Sequence, residues 1–131
     1  MLKWVVAKKQ IIIVEDNEGD KVLLCQALKK AGLSFEFRWI SDGLAAATVL
    51  AEANVSADII FLDVSLPGRS GWDVLDRIDN NPALAKAKVV LLSGSDSAFD
   101  VARAQNMGKM FFKKPMEFSS YQAIASAVAG I

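Results

Sequence analysis

The sequence predicts an α/β fold: one doubly wound parallel sheet with helices on both faces. Three observations carry this reading. Short, strand-sized apolar runs recur along the chain. Segments with helical periodicity lie between them. The connections are short, and strands that alternate with helices in this way join in parallel through right-handed crossovers.

Each element can be justified in turn. Ile11–Val14 is a continuous β-branched run, which suits a strand buried on both faces. Val22–Ala31 places Leu24, Ala27, Leu28 and Ala31 on one helical face, and Gly32 stands where a left-handed cap belongs. Phe35–Ile40 alternates Phe35, Phe37 and Trp39 against Glu36 and Arg38, as a strand at a sheet edge with one wetter face would. Leu44–Ala53 is rich in alanine and predicts the second helix. Ile59–Leu62 is the third strand. Trp72, Leu75 and Ile78 form the stripe of a third helix, with Asp73, Asp76 and Arg77 outside and Asn80-Asn81-Pro82 ending it. Val89–Leu92 is the fourth strand, and Ala98–Met107 a weakly amphipathic helix with Gly108 behind it. Met110–Phe112 reads as a fifth buried strand. Phe118, Tyr121, Ala125 and Val128 line one side of the last helix. These elements fill 131 residues as a single domain, with residues 1–9 as an N-terminal extension and no linker or repeat.

Composition excludes several functions. The chain is 53% hydrophobic and 23% charged, as expected of a soluble globular domain. Its continuous apolar runs, such as that between Asp58 and Asp63, are far short of the ~20 residues of a membrane span. The first ten residues carry Lys3, Lys8 and Lys9 without the apolar stretch of a secretory signal. Lys plus Arg total 15 and Asp plus Glu total 15, so the basic excess of a nucleic-acid binder is missing. There is no histidine, which excludes Ser-His-Asp and Cys-His catalysis and His-ligated zinc. The single cysteine, Cys25, has no internal disulfide partner and reads as a packing residue on the first helix; the cytoplasm is the expected compartment.

In an open parallel sheet, ligands bind outside the carboxyl ends of the strands. Glu15 and Asp16 follow the first strand, Asp63 the third, Ser93 the fourth, and Lys113, Lys114 and Pro115 the fifth. Crowded carboxylates raise one another's pKa unless a cation sits among them. Oxygen donors without histidine or cysteine favour Mg²⁺. A nearby lysine offsets the remaining charge and can pair with a phosphate oxygen, and a serine hydroxyl can donate to another. Asp63 then has the makings of a carboxylate nucleophile that forms an aspartyl phosphate.

Here a family resemblance enters. The run Leu62-Asp63-Val64-Ser65-Leu66-Pro67-Gly68-Arg69-Ser70-Gly71 resembles the phosphorylation loop of response-regulator receiver domains. Val14-Glu15-Asp16-Asn17 resembles their acidic pair, Asp42-Gly43 the turn before their second helix, and Lys114-Pro115 their Lys-Pro step. The resemblance runs from Ile11 to about Val128, and the chain looks like a CheY-like receiver standing alone. It implies a flavodoxin-like three-layer (βα)5 sandwich with sheet order 2-1-3-4-5. It implies Asp63 as phosphoacceptor. It implies a Mg²⁺ site of Glu15, Asp16, Asp63 and the backbone carbonyl of Ser65, with Asp16 the more direct ligand of the pair. Ser93 takes the place of the hydroxyl that swings toward the phosphoryl group, where threonine is frequent. Lys114 takes the place of the salt-bridging lysine, and its bond to Pro115 would be cis. Phe111 falls at the aromatic switch position and lacks the hydroxyl of the tyrosine often found there. Ser65 and Ser95 sit where side chains tune dephosphorylation. The implied partners are a histidine kinase or phosphotransfer protein as donor and a downstream protein as target. That target would be met on the surface of the fourth helix, fifth strand and fifth helix, a face that also serves a homodimer. No nucleic acid or membrane is implied.

Taken singly, each motif has a plain structural explanation. Glu-Asp after a strand is commonly a cap, Asp63 could belong to a turn, and Lys113-Lys114 is ordinarily a solvated pair. Four strand ends supplying complementary groups in order outweigh these. A phosphohydrolase of the haloacid dehalogenase type would need a second Asp two positions after the nucleophile, where Ser65 stands. A receiver-like scaffold that binds partners without phosphate is the alternative, although its usual mark is loss of the acceptor, acidic pair or lysine. The protein is expected to assist its own phosphorylation and dephosphorylation without turning over a separate substrate. Trp4, Val5 and Val6 read as a tail, and Phe99 and Tyr121 as core or, if exposed, a docking patch.

Overall fold

Side chains alternate across a strand, so a continuous apolar run must feed two cores at once. The computed structural model, which describes residues 8–66, 70–94, 97–115 and 117–130, shows this division. Ile12, Val14, Ile60, Leu62, Val89 and Leu91 point into one layer, and Ile11, Ile13, Ile59, Phe61, Val90 and Leu92 into the other. The strands are β1 (Lys9–Val14), β2 (Phe35–Ile40), β3 (Ile59–Asp63), β4 (Lys88–Ser93) and β5 (Met110–Lys113). They pair in parallel in the order β2-β1-β3-β4-β5, the doubly wound arrangement expected from the sequence.

Five helices cover the sheet: α1 (Glu18–Lys30), α2 (Gly43–Val49), α3 (Gly71–Asp79), α4 (Ala98–Asn106) and α5 (Phe118–Val128). Leu24, Ala27 and Leu28 of α1 and Tyr121, Ile124, Ala125 and Val128 of α5 close one layer. Ala46 of α2, Val74, Leu75 and Ile78 of α3 and Ala104 of α4 close the other. Each large aliphatic side chain removed from water contributes about 1.5–3 kcal/mol, and both faces of the three central strands are covered in this way. Gly32 and Gly108 end α1 and α4 with φ of 87° and 67°, the left-handed region that glycine enters without a Cβ clash.

Several elements differ from the expectations, each for a local reason. α1 begins a turn earlier than its apolar stripe, because the Asn17 side chain caps the Asp20 amide at 2.9 Å and the first turn is polar. α2 ends at Val49 rather than running to residue 53. The buried Asn81 amide donates to the carbonyls of Leu50 and Glu52 at 2.8 and 2.9 Å, so a side chain satisfies the chain there in place of further helix. Met110, Phe111 and Phe112 are half-buried, not buried on both faces, because β5 is an edge with one neighbour. On the other edge Phe35 packs into the α1 layer, but Phe37 and Trp39 are 44% and 36% exposed. The Lys21 ammonium lies over both rings, 5.8 and 4.6 Å from their centroids. Trp72 is half-buried beneath the Arg103 guanidinium, and Val74, outside the expected stripe, is buried with Leu75 and Ile78. Phe99 is exposed and Tyr121 is core. Trp4, Val5, Val6, Pro67, Gly68, Arg69 and Ser95 lie outside the described residues.

One contact bears directly on the carboxyl edge of the sheet. Gly71 opens α3 against the backbone of Asp63 and Val64, and a Cβ there would collide with the Asp63 carbonyl. Gly71→Ala is expected to destabilise the fold by about 1–3 kcal/mol through this overpacking, as read by urea denaturation. The cooperative slope should stay unchanged.

Candidate functional site

The strand ends bring the charged residues together. Glu15, just past β1, is 3% exposed, and Asp63, the last residue of β3, is 1% exposed. Asp16 is exposed beside them. Oxygen atoms of these three carboxylates lie within 4.8 Å of one another. Backbone bonds fix the Glu15 loop. Its amide donates to the Ile40 carbonyl at 3.0 Å, and its carbonyl accepts from the Trp39 indole at 2.7 Å. The Asn17 amide donates to Glu15 Oε2 at 3.2 Å.

Lys114, just past β5, closes the cluster. Its Nζ lies 2.8 Å from Glu15 Oε2 and 2.8 Å from Asp63 Oδ2. Its amide donates to the Ser93 carbonyl at 2.6 Å, which ties the end of β5 to the end of β4. Asp63 Oδ1 accepts from the Ser65 amide at 2.8 Å and from the Ser65 hydroxyl at 2.7 Å. Both Asp63 oxygens are therefore engaged, one by a cation and one by a short turn. Ser93 is buried at the end of β4. Lys113 is exposed, so Lys114 is the lysine of the cluster.

One expectation is corrected by the structure. Among the described residues no peptide bond is cis, so the Lys114–Pro115 bond is trans where the resemblance implied cis. Trans is the lower-energy isomer, and Lys114 reaches both buried carboxylates with it. Phe111 lies outside the polar cluster, half-buried against the layer formed with α2, α3 and α4. Asp20 was missing from the sequence-based set, yet its Oδ2 lies 3.3 Å from Lys114 Nζ. The pattern Asn17-x-x-Asp20 reads first as a helix cap. The available signal was position, since Asp20 lies in the first turn of the helix that follows the acidic pair.

Electrostatics separate the two buried acids. Burial raises the Glu15 carboxyl, and the Asp63 charge adds to this against the opposing bond from Lys114, so its pKa stands at about 8. Burial acts on Asp63 in the same direction, but bonds from Lys114 and from the Ser65 amide and hydroxyl more than offset it and hold it below the usual carboxylate range. Burial would lower Lys114, but its bonds to Asp63 and Glu15 hold it above the usual lysine range. Three hard oxygen donors with no nitrogen or sulfur donor among them fit a small divalent cation.

Five parallel strands in this order, with acids and a lysine at the carboxyl edge, define a receiver-type signalling domain. The chain belongs to the response-regulator receiver domain family, which it matches over residues 11–126. It is 36% identical over 98 residues to the response regulator Rcp1 of Synechocystis sp., covering 71% of this chain and 67% of that one. It is 31% identical over 113 residues to the probable methanogenesis regulatory protein FilR2 of Methanothrix harundinacea, covering 82% and 73%. Of the transcriptional activator protein IrlR of Burkholderia pseudomallei it spans 45% of the length. Among solved structures, the phosphorylated cyanobacterial phytochrome response regulator RcpA superposes with a TM-score of 0.81 at 31% identity, over 93% of this chain and 91% of that one. The Mn²⁺-bound form of Rcp1 superposes with a TM-score of 0.79 at 28% identity, over 92% and 91%. Receiver domains are signalling switches of two-component systems and bind Mg²⁺ or Mn²⁺ at an acidic pocket. No helix among the described residues is long and apolar enough to cross a membrane.

A pH dependence follows from Glu15. Its pKa is raised from 4.5 in the unfolded chain to about 8 in the fold, so its contribution to stability is fully present below 4.5 and is lost as the pH rises through 8. Asp63 acts in the opposite sense, but its contribution disappears only as the pH falls below 3.8. Without divalent metal, the melting temperature should therefore fall between pH 5 and 8, and Glu15→Gln should flatten that slope. Differential scanning calorimetry in a chelating buffer checks both.

Proposed function

We propose that this chain is the phosphoacceptor switch of a two-component or phosphorelay pathway, with Asp63 accepting a phosphoryl group from a histidine kinase or histidine phosphotransfer protein. The observation that carries this is the state of Asp63: a deeply buried carboxylate kept ionised by Lys114 and Ser65, beside two further carboxylates. An ionised carboxylate is the nucleophilic form. An Asp63 oxygen attacks phosphorus in line; the new O–P bond forms as the N–P bond of the phosphohistidine breaks, and the imidazole leaves with the bonding pair. Lys114 already touches Asp63 and pairs with the charge as it moves onto the phosphoryl oxygens. Ser93, at the neighbouring strand end, donates its hydroxyl to another of those oxygens.

Glu15, Asp16, Asp63 and the Ser65 carbonyl hold Mg²⁺ in this reading, and the cation supplies positive charge against the acids and the transferring group. The Mn²⁺-bound Rcp1 and the phosphorylated RcpA support the same chemistry here. A phosphoryl group adds about −1.5 to −2 charges near neutral pH. Ser93 and Lys114 draw toward it, Phe111 turns inward, and the surface of α4, β5 and α5 changes. That surface, with exposed Phe99 at its margin, is where a downstream protein or a second copy docks. The protein works in the cytoplasm and turns over no separate substrate.

Mg²⁺-dependent labelling with acetyl phosphate, read by intact mass, tests the assignment. One added phosphoryl group is expected on the wild type and none on Asp63→Asn. Labelling of the variant at another residue would refute it, and no addition to either protein would favour the phosphate-independent scaffold.

A further inference from the structure

Behind Lys114 lies a polar pair that phosphoryl transfer to Asp63 does not use. Asp20, in the first turn of α1, is the third carboxylate on the ammonium, at 3.3 Å against 2.8 Å for Glu15 and Asp63. Tyr121, the fourth residue of α5, is 1% exposed, and its buried hydroxyl makes no hydrogen bond of full geometry among the described residues, Asp20 being near enough for only a loose contact. α1 and α5 both follow the carboxyl edge of the sheet, and Leu24, Ala27 and Leu28 share a core layer with Tyr121 and Ile124. Asp20 stands one turn before Leu24 on the same face, so it and Tyr121 lie at the same end of this helix pair. Burial, then the nearby Asp20 charge and the contact of the hydroxyl with that carboxylate, push the Tyr121 phenol above its usual range.

An ammonium has three hydrogens, and three carboxylates surround this one. A phosphoryl oxygen that claims Lys114 must displace one of them. Asp20 makes the longest of the three contacts, and it is not one of the three clustered acids. A carboxylate released there has a donor waiting, because a buried hydroxyl without a full hydrogen bond has given up the bonds it made in water. We propose that Asp20 and Tyr121 are positioning residues that exchange partners around Lys114: Asp20 holds the ammonium in the unphosphorylated protein and accepts the Tyr121 hydroxyl once Lys114 moves to the phosphoryl group. The exchange rests on Asp63 being the phosphoacceptor. It gives the phosphorylated state a full hydrogen bond where the resting state has only a loose contact, and it ties the start of α1 to α5.

Tyr121→Phe removes only the hydroxyl, and beryllofluoride with saturating Mg²⁺ serves as the phosphoryl mimic. Titration calorimetry should show beryllofluoride dissociation constants at least about ten-fold higher for Tyr121→Phe, the lower end of the scale of one hydrogen bond to a charged group. The dissociation constant for Mg²⁺ alone should stay within about two-fold, and in an Asp20→Ala background the same change should have no further effect. The melting temperature of unliganded Tyr121→Phe should not fall. Equal beryllofluoride affinity of wild type and Tyr121→Phe, additive effects of the two changes, or a destabilised unliganded variant would each overturn the exchange while leaving Asp63 as acceptor. Failure of the wild type to bind beryllofluoride would instead overturn the phosphoacceptor reading, and the exchange with it.

Discussion

Glu15 and Asp63 are carboxylates in a place where carboxylates are expensive, and the Lys114 ammonium 2.8 Å from each is what sustains them. Removing an ion from water costs several kcal/mol even after the protein relaxes, and a pair persists only when the geometry and the remaining hydrogen bonds are good. Here they are good. Asp63 Oδ1 takes two bonds from Ser65 while Oδ2 takes the lysine. The charge is nevertheless incomplete, since one ammonium faces more acid than it neutralises, and Glu15, raised first by its burial and then by the Asp63 charge, keeps a pKa well above the usual carboxylate range. The site is stable enough to fold and still short of positive charge, which is the condition for binding a divalent cation.

The rest of the fold delivers that contact. β1 and β3 are neighbours, so their carboxyl ends place Glu15 and Asp63 side by side. β5 reaches them from the far edge through β4, with the Lys114 amide anchored on the Ser93 carbonyl. Gly71 lets α3 start hard against the Asp63 backbone, and Asn81 ends α2 with a side chain in place of another turn. These are small devices, each of which fixes where a chain segment stops.

Much of this was legible in the residues. Buried strands in parallel sheets are written as unbroken apolar runs, and Ile11–Val14, Ile59–Leu62 and Val89–Leu92 became β1, β3 and β4 within one or two residues of their ends. Glu15, Asp16, Asp63 and Lys114 were readable because strand ends in such a fold converge. The misses share a cause. The early end of α2 and the contact of Asp20 with Lys114 are set by side chains that meet across the fold, the polar first turn of α1 is set by the local Asn17 cap, and hydrophobic periodicity carries no trace of any of them. The half-buried state of β5 likewise depends on its neighbours and not on its own residues. The trans Lys114–Pro115 bond departs from an expectation drawn from kinship alone.

Trp39 has a consequence of its own. Its indole nitrogen is fastened to the Glu15 carbonyl while much of its ring faces water at the sheet edge, beneath the Lys21 ammonium. The strand that is least protected thus holds the backbone of the most deeply buried acid of the β1 loop. The molecule carries an optical gauge wired to its own acidic pocket: any shift of that loop alters the hydrogen bond, the overhead charge and the hydration of one fluorophore together.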